Sequence, residues 1–296
     1  MSTAIASLVK YKTLPSWTET TLPQAFQTRH NTKQGTWGKI IVETGQLQYD
    51  ALNAAGEILS TDIITPQHTD FFVSPQAWHR VKPLGALRCF VEFYCRPEDY
   101  FQKKYQFAAP HRDVQTLMQG ALANRSPLNI LDLGCGKGRN ATYLYALGHR
   151  VTALDKNADA VDRLQTVMQA ENAGDRFHAQ VYDIEASALG DRYDLILSTV
   201  VFQFLQRGAL SLVLADLQAH TKTNGYNFII APVSSSDFPC PIDFPSTFAP
   251  QELRNYYSDW HIVTYQEQLG SFHRKDSSDK PHKAMFATLL AQKTYS

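Results

Sequence analysis

The stretch LDLGCGKGRN, Leu131 to Asn140, places Gly134, Gly136 and Gly138 within five residues, directly after a short apolar run. Glycine has no Cβ, so a loop this dense in glycine lets a ligand come very close to the backbone. A phosphate-cradling loop needs a glycine, four residues, and then Gly-Lys-Ser/Thr. Here Gly136-Lys137 is followed by Gly138, and Leu131 stands where the first glycine belongs. No hydroxyl is present to hold magnesium, so that reading fails. A dinucleotide loop, G-x-G-x-x-G, requires its third glycine at Arg139, and Gly138 comes one residue early.

The remaining reading is the loop D-L-G-C-G-x-G, which suits S-adenosylmethionine. That cofactor has no pyrophosphate, and its methionine moiety and ribose must be cradled by backbone atoms. Gly134 and Gly136 permit the approach, and Asp132 is placed to receive an ammonium group. The next apolar run, RVTALD, ends at Asp155, where a carboxylate can accept both ribose hydroxyls. The third, RFHAQVYD, ends at Asp183, a candidate partner for the adenine amino group. The fourth, YDLILSTVV, carries Ser198 and Thr199 where the transferable methyl would lie. Asn140, Lys156 and Ile184 flank these positions and complete the candidate cofactor set. One acidic residue after a strand means little. A glycine loop with carboxylates at successive strand ends is specific, because ligands of open α/β sheets bind at the carboxyl edge.

Outward from the loop, strands and helices alternate from Val114 on. RNATYLYALG reads as a helix ending at Gly148, NADAVDRLQTVMQAENAG as one capped by Asn157, and ALSLVLADLQAHTKTNG as one stopped by Asn224-Gly225. YNFIIAPV is a fifth strand. PQELRNYYSDW is a short helix, and HIVTYQE and AMFATLLAQK are two further strands with no helix between them. The pattern predicts a Rossmann-like, mostly parallel seven-stranded sheet with an antiparallel edge pair. Before Cys95 the grammar differs. GKIIVETGQLQYDAL, DFFVSP, AWHRV and ALRCFVEFYC are short strands separated by turn residues, which predicts an all-β sandwich or barrel. RPEDYFQKKYQFAAPHRD reads as a connector. The expected domains are therefore 1–98 and 99–296.

Bulk properties narrow the partners. Lys+Arg and Asp+Glu are both 28 in the 296 residues, so no basic footprint invites nucleic acid. The N-terminus lacks the charged and apolar regions of a signal peptide, and no apolar run is long enough to span a bilayer; the expectation is a cytoplasmic protein without a membrane partner. Cys89, Cys95, Cys135 and Cys240 form no CxxC pair and read as free thiols. His30 and His79, with Glu43, lack the spacing of a metal site, so no metal is expected. Oligomeric state is left open.

From Tyr100 onward the chain resembles the tellurite-resistance methyltransferases of the TehB family. The resemblance lies in YFQKKY, LDLGCGKGRN, ALDKNADAV, YDLILSTVVFQFL, TNGYNFIIA, FPCPIDFPSTFAPQELRNYYSDW and FHRKDSSD. RHNTKQGTWGKI and SPQAWHRVKPLGALRCFVEFY resemble the small cupin-like β domain of its longer members. The resemblance implies a class I methyltransferase that uses S-adenosyl-L-methionine to methylate tellurite, with selenium oxyanions as further substrates, and so detoxifies them. It also implies His273 and Arg274 as the catalytic, oxyanion-binding pair and Tyr105 and His111 as cofactor or lid residues. Pro281 stands where the family often has a second arginine, and Lys280, His282 and Lys283 are its neighbours. A solvated His-Arg hairpin is the competing reading of the pair. The run from Pro239 to Pro245 is expected to wall the substrate pocket, and Phe202 to fill the core. Methylation of small thiols, or a non-catalytic sensor that merely holds the cofactor, are the alternatives to oxyanion chemistry.

Overall fold

A computed structural model describes residues 7–125, 127–275 and 278–294; the side chains of His273 and Lys275 lie outside the described residues. The chain divides into two compact units, residues 1–106 and 107–296, so the division falls eight residues beyond the 98/99 boundary.

The first unit is built from the strands read in the sequence and three more. Its strands are β1 (Val9–Thr13), β2 (Trp17–Thr18), β3 (Trp37–Thr44), β4 (Leu47–Leu52), β5 (Ile58–Ile64), β6 (Phe72–Val73), β7 (His79–Pro83) and β8 (Arg88–Cys95), of which β1, β2 and β5 are the additional three. A short helix α1 (Gln24–Gln27) precedes β3, and α2 (Tyr100–Tyr105) follows β8 inside the stretch read as a connector. One antiparallel sheet runs β1-β8-β3-β6 with β2 on β8; the other runs β5-β4-β7. Along β3 and β7 every second residue is buried, as a half-buried strand requires. Ile40, Val42 and Cys89 of the first sheet and Leu47, Tyr49 and Val81 of the second share one core.

The second unit is the α/β half. It comprises α3 (Arg112–Gln119), β9 (Asn129–Leu133), α4 (Arg139–Ala146), β10 (Arg150–Asp155), α5 (Ala158–Ala170), β11 (Phe177–Val181), β12 (Tyr193–Thr199), α6 (Leu210–Ala219), β13 (Thr221–Val233), α7 (Glu252–Asn255), β14 (His261–Lys275) and β15 (Pro281–Gln292). Among the described residues they form a seven-stranded mixed sheet in the order β11-β10-β9-β12-β13-β15-β14. The five strands β9 to β13 are mutually parallel, and β15 is antiparallel to both of its neighbours, β13 and β14. The expected antiparallel pair is present, with the last strand inserted inside the edge. β14, at the edge, therefore runs the same way as β9 to β13. The interior strands carry near-continuous apolar runs because both faces are covered; Leu195, Ile196 and Leu197 of β12 are fully buried.

Asn157 caps α5 as expected, its Oδ1 accepting the Ala160 amide at 3.1 Å. Asn224-Gly225 does not end α6. That helix stops at Ala219, and the Asn-Gly pair forms an irregularity inside β13, with Asn224 at φ +63°. A residue of positive φ can end a helix or kink a strand, and local sequence does not distinguish the two. No helix among the described residues is long and apolar enough to cross a membrane.

Candidate active site

Strand order places the chain's crossover between β9 and β12, where connections on one side lead to β10 and β11 and on the other to β13. A crevice opens there at the carboxyl ends of parallel strands. Gly134 leaves β9 at φ +70°, and a Cβ on it would lie 2.3 Å from Val201 Cγ2. Only glycine fits. Gly136, at φ +53°, is the opposite case, since a Cβ there would meet nothing within 4 Å. Its missing side chain faces open space on the wall of a cavity of about 420 Å³. Asp155, Lys156, Asp183 and Ile184 stand on the same wall, so the ends of β9, β10 and β11 converge as expected.

Asp155 ties the loop to its own strand end. Its Oδ2 accepts the Gly136 amide at 2.7 Å and its Oδ1 accepts the Asn157 amide at 2.9 Å. A carboxylate has about four lone-pair positions, so both oxygens retain capacity for further donors. Asp183 is exposed and accepts the Glu185 amide at 3.0 Å, which fixes the turn after β11. Asp132 is 1% exposed, and its Oδ2 has no partner among the described residues. Burial pushes its carboxyl up to about 7, Asp155 adds to the rise, and the Ala141 amide and the Arg139 charge oppose it. A buried carboxylate oxygen without a donor, beside a backbone with no Cβ, fits a bound group that is both cationic and closely applied.

Asn140 is engaged by the protein itself. It is buried, its Oδ1 accepts the His111 amide at 2.8 Å, and its Nδ2 donates to Thr199 Oγ1 at 3.1 Å. It thereby clamps the start of α3 to the end of β12 and is not among the walls of the cavity. His111 caps α3, its Nδ1 accepting the Asp113 amide at 3.3 Å. Tyr105 lies on α2 in the first unit, where its ring stacks on Phe101 and lies beneath Lys104 Nζ.

A second cavity, of about 250 Å³, contains residues the sequence reading did not single out. Arg139, Gln266, Gln268 and Ser271 line it together with His111 and the acidic Asp113. Val200 is a wall of both cavities and holds φ +59°. Positive φ on a β-branched residue is strained backbone of the kind found where a site fixes it. Arg139 is half-buried; burial pulls its guanidinium down, and the Asp132 carboxylate supports it. It is the first residue of α4, whose first turn holds no acidic residue. A cation at the positive end of a helix is locally unfavourable, and that was the available signal.

Aromatic rings run between the two cavities. Phe244 packs on Phe204 at 5.6 Å and on Phe272 at 5.3 Å, and Phe272 packs on Phe286 at 4.9 Å. Phe204 walls the first cavity and Phe272 the second, so the proline-rich run lies behind both through Phe244. Phe202 is core, 1% exposed and packed on Phe248. His273 and Arg274 lie near the end of β14, which extends to Lys275, rather than in a loop between the last two strands. Arg274 is exposed, and the His273 side chain lies outside the described residues. The same strand contributes Gly270, Ser271 and Phe272 to the second cavity.

Comparison with known proteins agrees with this architecture. Residues 93–290 match the family model described as tellurite resistance protein TehB, and residues 12–91 match the TehB-like domain. A probable S-adenosyl-L-methionine-dependent methyltransferase TehB of Haemophilus influenzae (strain 10810) is 44% identical over 97% of this chain and 98% of that protein. Hemagglutinin 1 of Eikenella corrodens is 38% identical over 85% of this chain and 80% of its own length. The crystal structure of TehB from Haemophilus influenzae superposes with a TM-score of 0.86, at 43% identity, covering 97% of this chain and 99% of that one. These matches span both units: the chain belongs to the TehB family and is an S-adenosyl-L-methionine-dependent methyltransferase.

Proposed function

We propose that the chain methylates tellurite, and selenium oxyanions with it, and so confers resistance to them. The observation that carries this reading is the second cavity, where one half-buried arginine stands among the neutral donors Gln266, Gln268 and Ser271. A small anion is the substrate such a wall suits. The guanidinium presents a planar fork of donors to oxyanion oxygens, and the amide and hydroxyl groups add neutral donors; the acidic Asp113, whose Oδ2 lies 3.8 Å from His111 Nδ1, stands on the same wall.

Bound S-adenosylmethionine supplies a methyl group on a positively charged sulfur, open to in-line displacement by a soft lone pair. The chain's own residues bind and orient. Gly134 and Gly136 admit the cofactor to the backbone, Asp132 receives its ammonium, Asp155 its ribose hydroxyls and Asp183 its adenine amino group. Lys156 and Ile184 wall that pocket, and Asn140 holds Thr199 and His111 in place between the two cavities. Arg139 fixes the oxyanion, while Arg274 at the hairpin adds positive charge and His273 handles a proton. Tellurium(IV) and selenium(IV) keep a lone pair, so no strong base is required.

The test is the release of S-adenosylhomocysteine with tellurite, selenite and small thiols side by side. Tellurite is expected to give the highest kcat/KM. Arg139→Gln should lower that value by on the order of a hundredfold, and Arg139→Lys should recover part of the loss, because a lysine keeps the charge without the fork. Thiols turning over faster than tellurite, with Arg139→Gln unaffected, would reassign the substrate.

A further inference from the structure

The first unit contains a cavity that methyl transfer does not use. It measures about 600 Å³ and lies inside the β unit. Protein interiors pack as densely as organic crystals, and voids larger than a water molecule are few. Small-molecule pockets, by contrast, run about 300–1,000 Å³. The wall follows the two-residue period of the strands, with Ile40 on β3, Val81 on β7, and Cys89 and Val91 on β8. Trp17 and Phe26, 5.2 Å apart, add aromatic surface. Lys12, Asn31 and Lys33 are exposed and stand on the same wall, so the cavity reaches solvent on their side.

Two imidazoles interrupt this apolar lining. His30 and His79 both face the cavity, with ring centroids 4.1 Å apart. Their backbones hold them as a pair, each amide bonded to the other's carbonyl at 2.9 and 2.8 Å. His30 Nδ1 lies 2.9 Å from the Thr28 carbonyl, and His79 Nδ1 lies 2.9 Å from the Ala77 carbonyl. A carbonyl only accepts, so each Nδ1 carries the hydrogen and donates it. Burial keeps both rings neutral; His79 is pulled down to about 4, with His30 adding to the fall. In a neutral ring with Nδ1–H, the lone pair sits on Nε2, at the end farthest from the backbone. Neither Nε2 has a hydrogen-bond partner among the described residues. Two nitrogens fall short of the three or four protein ligands of a metal centre, and no group of three or more metal-ligating side chains occurs among the described residues. What they form is a pair of hydrogen-bond acceptors set in an apolar, aromatic wall.

We propose that this cavity binds a small aromatic molecule that presents an N–H or O–H donor to His30 and His79. The ring fills apolar volume that would otherwise stay open, and the donor satisfies acceptors that burial has removed from water. The proposal stands on the first unit alone and is independent of the substrate assigned to the second.

Titration calorimetry on the full chain tests it with indole and 1-methylindole, which share a ring and differ in the donor. Indole is expected to bind several-fold to about tenfold tighter, the range for one hydrogen bond. The double variant His30→Phe/His79→Phe should abolish that preference and still bind 1-methylindole, which shows that the cavity persists. Val91→Trp should block both probes. Absence of binding by either probe, equal affinities in the unaltered chain, or an indole preference that survives in the double variant would each overturn the proposal. Should the double variant fail to fold, the comparison of the two probes on the unaltered chain decides by itself.

Discussion

At the scale of single residues, the proposed role of Asp132 ties burial to ligand binding. Its carboxyl is pushed from its ordinary 3.8 up to about 7, chiefly by burial. The sign follows from linkage. The folded chain holds this proton more tightly than the unfolded chain does, so the group's contribution to stability is fully present below pH 3.8 and is lost as pH rises through about 7. If Asp132 receives the cofactor's ammonium as proposed, its carboxylate form is needed, and binding below pH 7 must release a proton. Affinity for S-adenosylhomocysteine, measured by calorimetry, is therefore expected to weaken as pH falls from 8 to 6, approaching tenfold per pH unit at the lower end. Asp132→Asn should flatten that dependence and weaken binding, while raising the melting temperature of the ligand-free chain at pH 8. A steep pH dependence that survives in Asp132→Asn would place the proton elsewhere. The sequence exposed Asp132, Asp155 and Asp183 because each ends an apolar run. It did not expose Arg139, whose one local signal, a cation in a helix's first turn, is weak until the fold turns it into a cavity shared with β14 and β15.

At the scale of elements, the β14–β15 hairpin decides whether His273 and Arg274 serve one pocket. Neighbouring residues on a regular strand face opposite sides of the sheet. The register is not regular there. Ser271 pairs with Lys283, but Lys275 pairs with Pro281, so four residues of β14 run opposite two of β15 and the ladder is irregular between them. An irregularity of this kind re-aims side chains and is frequent beside active sites. His273→Ala and Arg274→Ala are each expected to lower tellurite turnover by on the order of a hundredfold, with the affinity for S-adenosylhomocysteine unchanged. Loss in only one variant would mean that alternation persists and that residue alone belongs to the site; loss in neither removes the pair from catalysis. Strands of this unit were legible from their apolar runs, whereas the insertion of β15 between β13 and β14 was not. Pairing order is a long-range property, and nothing local in AMFATLLAQK states its neighbour. β5 was missed for a local reason, since six of its seven residues are exposed and show no alternation.

At the scale of the whole molecule, two hydrophobic cores serve two different tasks. One core gathers Leu131, Ile196, Ile229 and Leu289 beneath the crevice, and the other gathers Ile40, Leu47, Val81 and Cys89 within the β unit. The sequence announced this division through its change of grammar after Cys95, although α2 belongs with the first unit and the break comes at Gln106. Separate cores predict separate responses to ligand. A ligand that binds only folded protein stabilises what it touches, by about 2.7 kcal/mol at a hundredfold excess over Kd, and local opening follows the cooperative unit in which it occurs. With S-adenosylhomocysteine, hydrogen exchange should slow in residues 134–140, 155–157 and 183–185 and in the strands that support them, while β3, β4, β7 and β8 keep their rates. With indole the pattern should invert. Slowing of both sets by either ligand would show that the two units open as one, and that occupancy of the β unit is felt at the methyl-transfer site.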